Sequence, residues 1–259
     1  MPYYSTDILK TVVDNHFLNG VSRVTTETFL ALNALTVQEF RHVLRTAGAI
    51  PEQYQHDSAE EKAYGKAADV LVACCFERLG MVVEVVVERS DRPDVIASNS
   101  TTHLTIDVKT ARLSRTTVNP KDFKISTVAF WTQIGGHAMI AAPPHHWPGP
   151  KSRVWREAIS NNVSLVGFDH LDAALANPTH AHHLWDPTLN GSQRMRALGA
   201  KKLLTSAHHA GEKRRIGQEL LWLKAEETRL GQMTHQELAT IVTAPVRSRM
   251  VTLATPRTR

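Results

Sequence analysis

Two aspartates and a lysine lie close together in the stretch RPDVIASNSTTHLTIDVKT, residues 92–110. Asp94 follows a proline, Asp107 comes 13 positions later, and Lys109 is two residues beyond Asp107. Two ionised carboxylates held side by side repel each other unless one keeps its proton or a cation lies between them. Mg²⁺ suits such hard oxygen ligands, because it binds through one or two carboxylates together with waters and a phosphate. Lys109 could then orient or deprotonate the attacking water and counter the charge of the phosphate. The residues therefore predict metal-dependent hydrolysis of a phosphodiester.

A β-hairpin is the element that would bring these side chains together. Residues 93–98 and 103–110 are predicted as strands on either side of the turn-prone tetrapeptide SNST. If the turn is centred between positions 100 and 101, Asp94 lies directly opposite Asp107. The Cβ atoms of directly opposed residues are about 4.5 to 5.5 Å apart, which is close enough for the two carboxylates to share a cation.

Side chains alternate between the two faces of a strand, which divides the second strand into a core side and a chemical side. The core side is predicted to carry Leu104, Ile106 and Val108. The chemical side is predicted to carry His103, Thr105, Asp107 and Lys109. The alternative is structural. Asp94 would then be an ordinary residue at a strand entry, and Asp107 with Lys109 an exposed pair that contributes little to stability.

The elements around the hairpin predict an α/β fold, with a mixed central β-sheet flanked by helices and extra N- and C-terminal helices. Residues 5–47 predict two or three helices, and residues 58–79 predict a longer one. The run MVVEVVVE that follows is β-branched and nearly continuous, which is typical of a strand covered on both faces. Beyond the hairpin the predicted order is helix 126–135, strand 137–142, helix 154–159, strand 163–168 and helix 169–176.

Capping patterns mark the ends of two of these helices. Thr36-x-x-Glu39 and Ser58-x-x-Glu61 have the form of capping boxes, in which each of the two side chains bonds to the backbone N–H of the other residue. Gly80 follows the last apolar position of the longer helix and is predicted to end it. The helix that precedes the sheet is thus predicted to start and stop at defined residues.

The whole chain, residues 1–259, is predicted as a single domain, because no repeat, low-complexity tract or long linker divides it. Its parts are N-terminal helices (1–57), a catalytic α/β core (58–176) and C-terminal helices with a basic tail (193–259). A net charge of +5 and a pI of about 9.3 favour a polyanionic partner such as nucleic acid. The sequence shows neither the roughly 18 apolar residues that a membrane span needs nor a signal-peptide pattern, which predicts a cytoplasmic protein without a membrane partner.

The stretch 92–120 also carries a family resemblance. Its Pro-Asp pair (93–94) and the DVK tripeptide (107–109) resemble the signature of the PD-(D/E)XK nucleases. The continuation DVKTARLSRTTVNP (107–120) is similar to type II restriction endonucleases of the HincII/HindII kind. The resemblance implies a restriction endonuclease-like fold and Mg²⁺-dependent cleavage of double-stranded DNA.

By that resemblance, Asp94 and Asp107 are metal ligands, Val108 contributes its backbone carbonyl to the metal, and Lys109 is the catalytic lysine. The residues after it would form the DNA-facing loop: Thr110, Arg112, Ser114, Arg115, Asn119, Lys121 and Lys124. Arginine and lysine neutralise phosphates, and Arg115 or Lys121 could read guanine in the major groove.

The resemblance also predicts the biological setting. Members are homodimers that cut short palindromes, since the two-fold symmetry of the protein matches that of the DNA. A six-base-pair site of the GTCGAC kind, as in the SalI/XamI type, or of the GTYRAC kind, is the expectation. A cognate DNA methyltransferase would be the genetic partner, because the host must protect its own sites.

Two other functions remain open from the residues. A repair or recombination nuclease of the same superfamily would recognise the structure of DNA and nick branched or mismatched substrates. A non-catalytic DNA-binding protein would bind DNA without Mg²⁺ and cleave nothing. Discrete fragments from a plasmid in the presence of Mg²⁺ would distinguish restriction from both alternatives.

Overall fold

The computed structural model describes residues 7–87, 92–115, 120–131, 136–146, 148 and 152–200, together with Arg229 and Gln232. Three predictions fall wholly or partly outside these residues. They concern Asn119 of the DNA-facing loop, the end of the helix predicted at 126–135, and the C-terminal helices and tail beyond position 200.

Three helices precede the sheet, as residues 5–47 predicted. They are α1 (Ile8–His16), α2 (Val21–Asn33) and α3 (Val37–Thr46), with a 3-10 turn (Phe17–Asn19) between the first two. The capping box predicted at α3 is present: Thr36 accepts from the Glu39 N–H, and the Glu39 carboxylate accepts from the Thr36 N–H. Polar side chains at the helix starts therefore satisfy backbone donors that would otherwise lack partners.

The long helix α4 (Ala59–Arg78) packs at the centre of the protein. Ser58 caps its start by accepting from the Glu61 N–H. At its end Gly80 adopts a φ of 84° and donates to the Glu77 carbonyl, as predicted for the residue that stops the helix. Every residue from position 67 to 76 is buried, so this part of the helix is enclosed around its whole circumference.

Five strands form a mixed sheet, and two very short strands form a separate pair. In chain order the strands are β1 (Ala49–Ile50), β2 (Val82–Val85), β3 (Val95–Ser98), β4 (His103–Val108), β5 (Ala111–Arg112), β6 (His137–Ala142) and β7 (Val163–Gly167). The large sheet has the order β2-β3-β4-β6-β7, antiparallel from β2 to β4 and parallel from β4 to β7. The small pair joins β1 to β5 in parallel and was not predicted, because two residues carry no readable periodicity.

Helices cover both faces of the large sheet. The later helices are α5 (Ile125–Phe130), α6 (Arg153–Ser160), α7 (Phe168–Ala176) and α8 (Gly191–Ala197), with 3-10 helices at Pro120–Phe123, Pro144–His146 and Pro178–Trp185. One core joins α4, the N-terminal helices and α7 to the face that carries Leu104, Ile106 and Val108, as predicted. A second, smaller core joins α5 and α6 to Ile140 and Leu165 on the opposite face. The fold is thus the predicted α/β arrangement with a mixed central sheet.

Strand β2 departs from its prediction. The run MVVEVVVE suggested a strand covered on both faces, but β2 is the edge of the sheet and only one of its faces is packed. Val82 is 76% exposed and Glu84 is exposed, whereas Val83 and Val85 pack against the core around α4. A run of valines could not distinguish an edge strand from a central one, because β-branched residues favour both positions.

Only part of the predicted domain organisation lies within the residues that the structure describes. The division of residues 1–259 into a single domain with a core at 58–176 stays a prediction. Within the residues that the structure describes, no helix is long and apolar enough to cross a membrane.

Candidate active site

The hairpin of β3 and β4 has the predicted register over four residue pairs, from Val95 opposite Ile106 to Ser98 opposite His103. Asn99 organises the turn, since its side-chain oxygen accepts from the backbone N–H groups of the residues at 101 and 102. Short-range turn chemistry therefore sets the alignment of the two strands.

Asp94 lies just outside this ladder and is not a regular cross-strand partner of Asp107. Its N–H donates to the carbonyl of Ile106 at 2.9 Å, one residue short of the expected pairing. Its carboxylate oxygen Oδ2 accepts from the N–H of Val108 at 2.9 Å. The prediction that Asp94 lies directly opposite Asp107 is therefore wrong. The backbone pairing shifts by one residue where β3 begins. The side chain instead reaches across to the residue next to Asp107.

Asp107 lies near the end of β4, beside β6, with its side chain largely buried. Burial raises the pKa of its carboxyl to about 6; the ammonium group of Lys109 opposes the rise and the charge of Asp94 adds to it. Lys109 Nζ lies 2.6 Å from Asp107 Oδ2. Oδ2 has no other partner among the described residues, so the ammonium group is what neutralises this buried oxygen.

A second acid of the site, Asp69 on α4, was missed by the sequence analysis. It is buried, and this burial, reinforced by the charge of Asp94, raises the pKa of its carboxyl well above the usual range. Lys66, one turn earlier, lies 2.7 Å from Asp69 Oδ2 and 3.5 Å from Asp94 Oδ1. The sequence offered one signal for this acid, a single aspartate inside the apolar run AADVLVACC. That aspartate becomes significant only when the fold is known to enclose α4.

The donor atoms of Asp94 and Asp107 fit a divalent cation. Both offer hard carboxylate oxygens near the Val108 backbone, and the buried oxygen of Asp107 contacts only the ammonium group of Lys109 among the described residues. Within the described residues the one cluster of three closely spaced donors is elsewhere, at His56, Asp57 and Glu61. That cluster is largely exposed, and its Glu61 already binds an arginine and a backbone N–H. The paired aspartates are therefore the better candidates for a Mg²⁺ site.

Two residues predicted to contact DNA are held by the protein itself. Arg112 on β5 forms an ion pair with Glu61 at 3.1 Å and donates to the carbonyls of residues 51 and 52. Ser114 donates to the Glu52 carboxylate through both its N–H and its hydroxyl. Glu61 was predicted to complete a capping box at Ser58. Its carboxylate accepts instead from the Asp57 N–H and from Arg112. A DNA contact by Arg112 or Ser114 stays a prediction.

The other basic residues predicted in the loop are exposed. Arg115 pairs with Asp122 at 2.7 Å with 43% of its side chain exposed, and Lys121 and Lys124 are exposed as well. Lys124 has a left-handed φ of 41°, and its charge lowers the pKa of Asp107, so it lies within electrostatic range of that carboxyl. Thr110 is half-buried shortly after the end of β4. Of these exposed loop cations, Lys124 is the one whose charge acts on Asp107.

Comparison with known proteins identifies the family. The sequence model of the HindIII restriction endonuclease family matches residues 9–187, which is more than half of the chain. The chain belongs to the HindIII restriction endonuclease family. The type II restriction enzyme HindIII of Haemophilus influenzae is 29% identical over 165 residues, which make up 63% of this chain and 55% of that enzyme. The chain therefore spans about half the length of this relative.

The HindIII family match encloses every candidate site residue from α4 to α5. It confirms the resemblance to type II restriction endonucleases. The finer likeness to the HincII/HindII kind, and a recognition site of the GTCGAC or GTYRAC type, stay predictions.

Proposed function

We propose that this chain is a type II restriction endonuclease that hydrolyses phosphodiester bonds of double-stranded DNA at a specific short palindrome, with Mg²⁺ as cofactor. The observation that carries the proposal is the placement of Asp107, whose buried carboxylate pairs with Lys109 and whose neighbour Val108 holds the carboxylate of Asp94. Membership of the HindIII family supports the same reaction.

Asp94, Asp107 and the carbonyl of Val108 would hold the cation. Bound Mg²⁺ would polarise the scissile phosphate and lower the pKa of the attacking water. Lys109 would donate hydrogen bonds from its ammonium group to that water and to a phosphate oxygen, and so would counter the negative charge that develops there. Asp94 is oriented before any cation binds, because Val108 fixes one of its oxygens and Lys66 faces the other.

The loop beyond β4 would bind the DNA backbone and read bases. Exposed Arg115, Lys121 and Lys124 are the cations placed to neutralise phosphates, and an arginine or lysine in the major groove could read guanine. Thr110, Arg112, Ser114 and Asn119 complete the proposed DNA-binding set. We propose that two copies of the chain act together as a homodimer on a palindrome, and that a cognate DNA methyltransferase accompanies them in a cytoplasmic restriction system.

Cleavage of plasmid DNA tests the proposal. The full chain with Mg²⁺ should yield discrete fragments whose sequenced ends share one palindrome, and Asp107→Asn should yield none. Glu84→Gln, which removes an exposed carboxylate from edge strand β2, is the matched control and should cut like the wild type. Nicking that follows junctions or mismatches would favour a repair nuclease. Mg²⁺-independent binding without cleavage, unchanged by Asp107→Asn, would favour a non-catalytic DNA-binding protein.

A further inference from the structure

Lys66 is surrounded by three oxygen atoms that come from three parts of the fold. Its ammonium nitrogen lies 2.7 Å from Oδ2 of Asp69 on the same helix and 3.0 Å from the carbonyl oxygen of Val86 beyond β2. It also lies 3.5 Å from Oδ1 of Asp94 at the entry of β3. Two carboxylates and a backbone carbonyl are ligands that Mg²⁺ and Mn²⁺ accept in proteins. In this chain a lysine ammonium fills the position between them.

An ordinary ion pair along a helix does not account for this arrangement. Such pairs contribute little because both partners lie in solvent, whereas Asp69 is 4% exposed and belongs to the enclosed part of α4. Val86 and Asp94 are remote from Lys66 in sequence and still converge on it. Without the ammonium group, the carboxylates of Asp69 and Asp94 would face each other with no neutralising charge between them.

Asp94 is shared between this position and the proposed cation site. Its Oδ1 faces Lys66, and its Oδ2 accepts from the Val108 N–H beside Asp107. We propose that Lys66 is a positioning residue whose ammonium group occupies the place of a second divalent cation, so that each chain binds one such cation, at Asp94 and Asp107. This inference rests on the proposed function, because it assumes a divalent cation at those two aspartates. It explains how Asp94 stays oriented when no metal is bound.

Counting Mn²⁺ ions bound to the full chain without DNA tests the inference independently of cleavage. Calorimetric titration, with electron paramagnetic resonance of free Mn²⁺ as a second count, should give one ion per wild-type chain. Lys66→Ser removes the ammonium group and leaves room for a hydrated ion, so this variant should bind two. Lys62→Ser, one turn earlier on the exposed side of α4, removes the same charge and should still bind one.

A second variant, Lys66→Gln, tests the inference even if Lys66→Ser does not fold. Lys66→Gln keeps most of the side-chain volume without the charge, so its melting temperature should fall without metal. Mn²⁺ should then raise that temperature more than it raises the temperature of Lys62→Ser. Two ions in the wild type, or one ion in both Lys66 variants, would overturn the inference. Failure of both Lys66 variants to fold even with Mn²⁺ would also overturn it, because a cation could not then replace the ammonium group.

The same titration also tests the proposed function, through a different variant. Asp107→Asn should abolish the single wild-type Mn²⁺ site. If that site survives the substitution, the cation does not bind at the paired aspartates and the proposed function fails. If the site is lost in Asp107→Asn but the Lys66 variants gain none, only the role of Lys66 is wrong.

Discussion

Two lysine–aspartate pairs, Lys66–Asp69 and Lys109–Asp107, lie on either side of Asp94. They differ in the number of oxygen atoms that the lysine contacts. Lys66 contacts three oxygen atoms, which matches the three donors of an ammonium group. Among the carboxylates of the described part of the chain, the Lys109 ammonium group pairs with Asp107 alone. A lysine with unused donors can bind water and phosphate, whereas a lysine with all its donors engaged can only hold its neighbours. Under the proposed function, the same pair of residue types would therefore serve chemistry in one place and positioning in the other.

The largest effect that would sharpen this contrast is expected for Asp107→Asn. The variant loses the carboxylate that pairs with Lys109 and that would bind the metal. Because bound metal contributes several kcal/mol to stabilising the transition state, cleavage should fall by at least about a thousand-fold. Folding should be preserved, since a neutral amide is easier to bury than a carboxylate. Initial rates of plasmid cleavage and the melting temperature measure the two effects, and cleavage within ten-fold of the wild type would remove Asp107 from the mechanism.

Substitution of Lys66 and of Lys109 should change the free energy of unfolding by different amounts. Lys66→Gln leaves the buried carboxylate of Asp69 without its partner, which should lower the free energy of unfolding by about 3 kcal/mol at neutral pH. Lys109→Gln should lower it by less, because Lys109 neutralises one carboxylate, whereas Lys66 lies between two. Urea denaturation of both variants in chelator measures the difference. Equal losses would contradict the assignment of different roles to the two pairs.

Part of the pH dependence of stability should come from Asp107, beside the contribution of Asp69, whose pKa is raised as well. Burial raises the pKa of Asp107 from 3.8 to about 6, so the folded chain binds this proton more tightly than the unfolded chain. The stabilisation is complete below a pH of about 4 and is lost as the pH rises through 6, a change of about 3 kcal/mol. Urea denaturation from pH 4 to 7 without divalent cations should show this fall, and Asp107→Asn should make it shallower. A variant with the wild-type slope would assign the effect to other groups.

One arginine–glutamate pair, Arg112–Glu61, and one arginine–aspartate pair, Arg115–Asp122, show the same contrast on a smaller scale. Both arginines belong to the proposed DNA-facing loop. Arg112 is enclosed by Glu61 and two backbone carbonyls with 19% of its side chain exposed, whereas Arg115 pairs with Asp122 while 43% exposed. The first pair joins β5 to the start of α4, and the second leaves the guanidinium group partly in solvent. Arg112 is therefore expected to act mainly on the stability of the fold, whatever it adds to DNA binding, and Arg115 to act mainly on DNA binding.

The smallest expected effects test this second contrast. Arg112→Ala should lower the free energy of unfolding by about 1 to 2 kcal/mol, because Glu61 and the two carbonyls lose their donor. Arg115→Ala should leave stability within about 0.5 kcal/mol of the wild type. It should instead weaken DNA binding and reduce the slope of log affinity against log salt concentration by about one. Fluorescence anisotropy in Ca²⁺ at several salt concentrations, beside urea denaturation, measures both. A reversal of the two phenotypes would reverse the assignments.

Much of the candidate site could be predicted because its parts are local. Asp94, Asp107 and Lys109 lie within one hairpin, where strand alternation and the SNST turn determine which side chains share a face. The register of β3 and β4 followed from the same pattern, as did the capping box at Thr36 and Glu39. The one local error, the shift at Asp94, arises at a strand end, where the pairing rule no longer applies.

The tertiary structure decided what depends on contacts between distant segments. Lys66 and Asp69 become part of the site only because α4 packs against the sheet at the entry of β3, and Arg112 is enclosed only because β5 lies beside the start of that helix. The exposure of β2 likewise depends on its place at the edge of the sheet. The sequence by itself determined which groups could do the chemistry, since the alternation of a strand is a short-range property. Only the folded chain determined which of those groups are neutralised, buried or free to react, because burial and charge pairing depend on residues far apart along the chain.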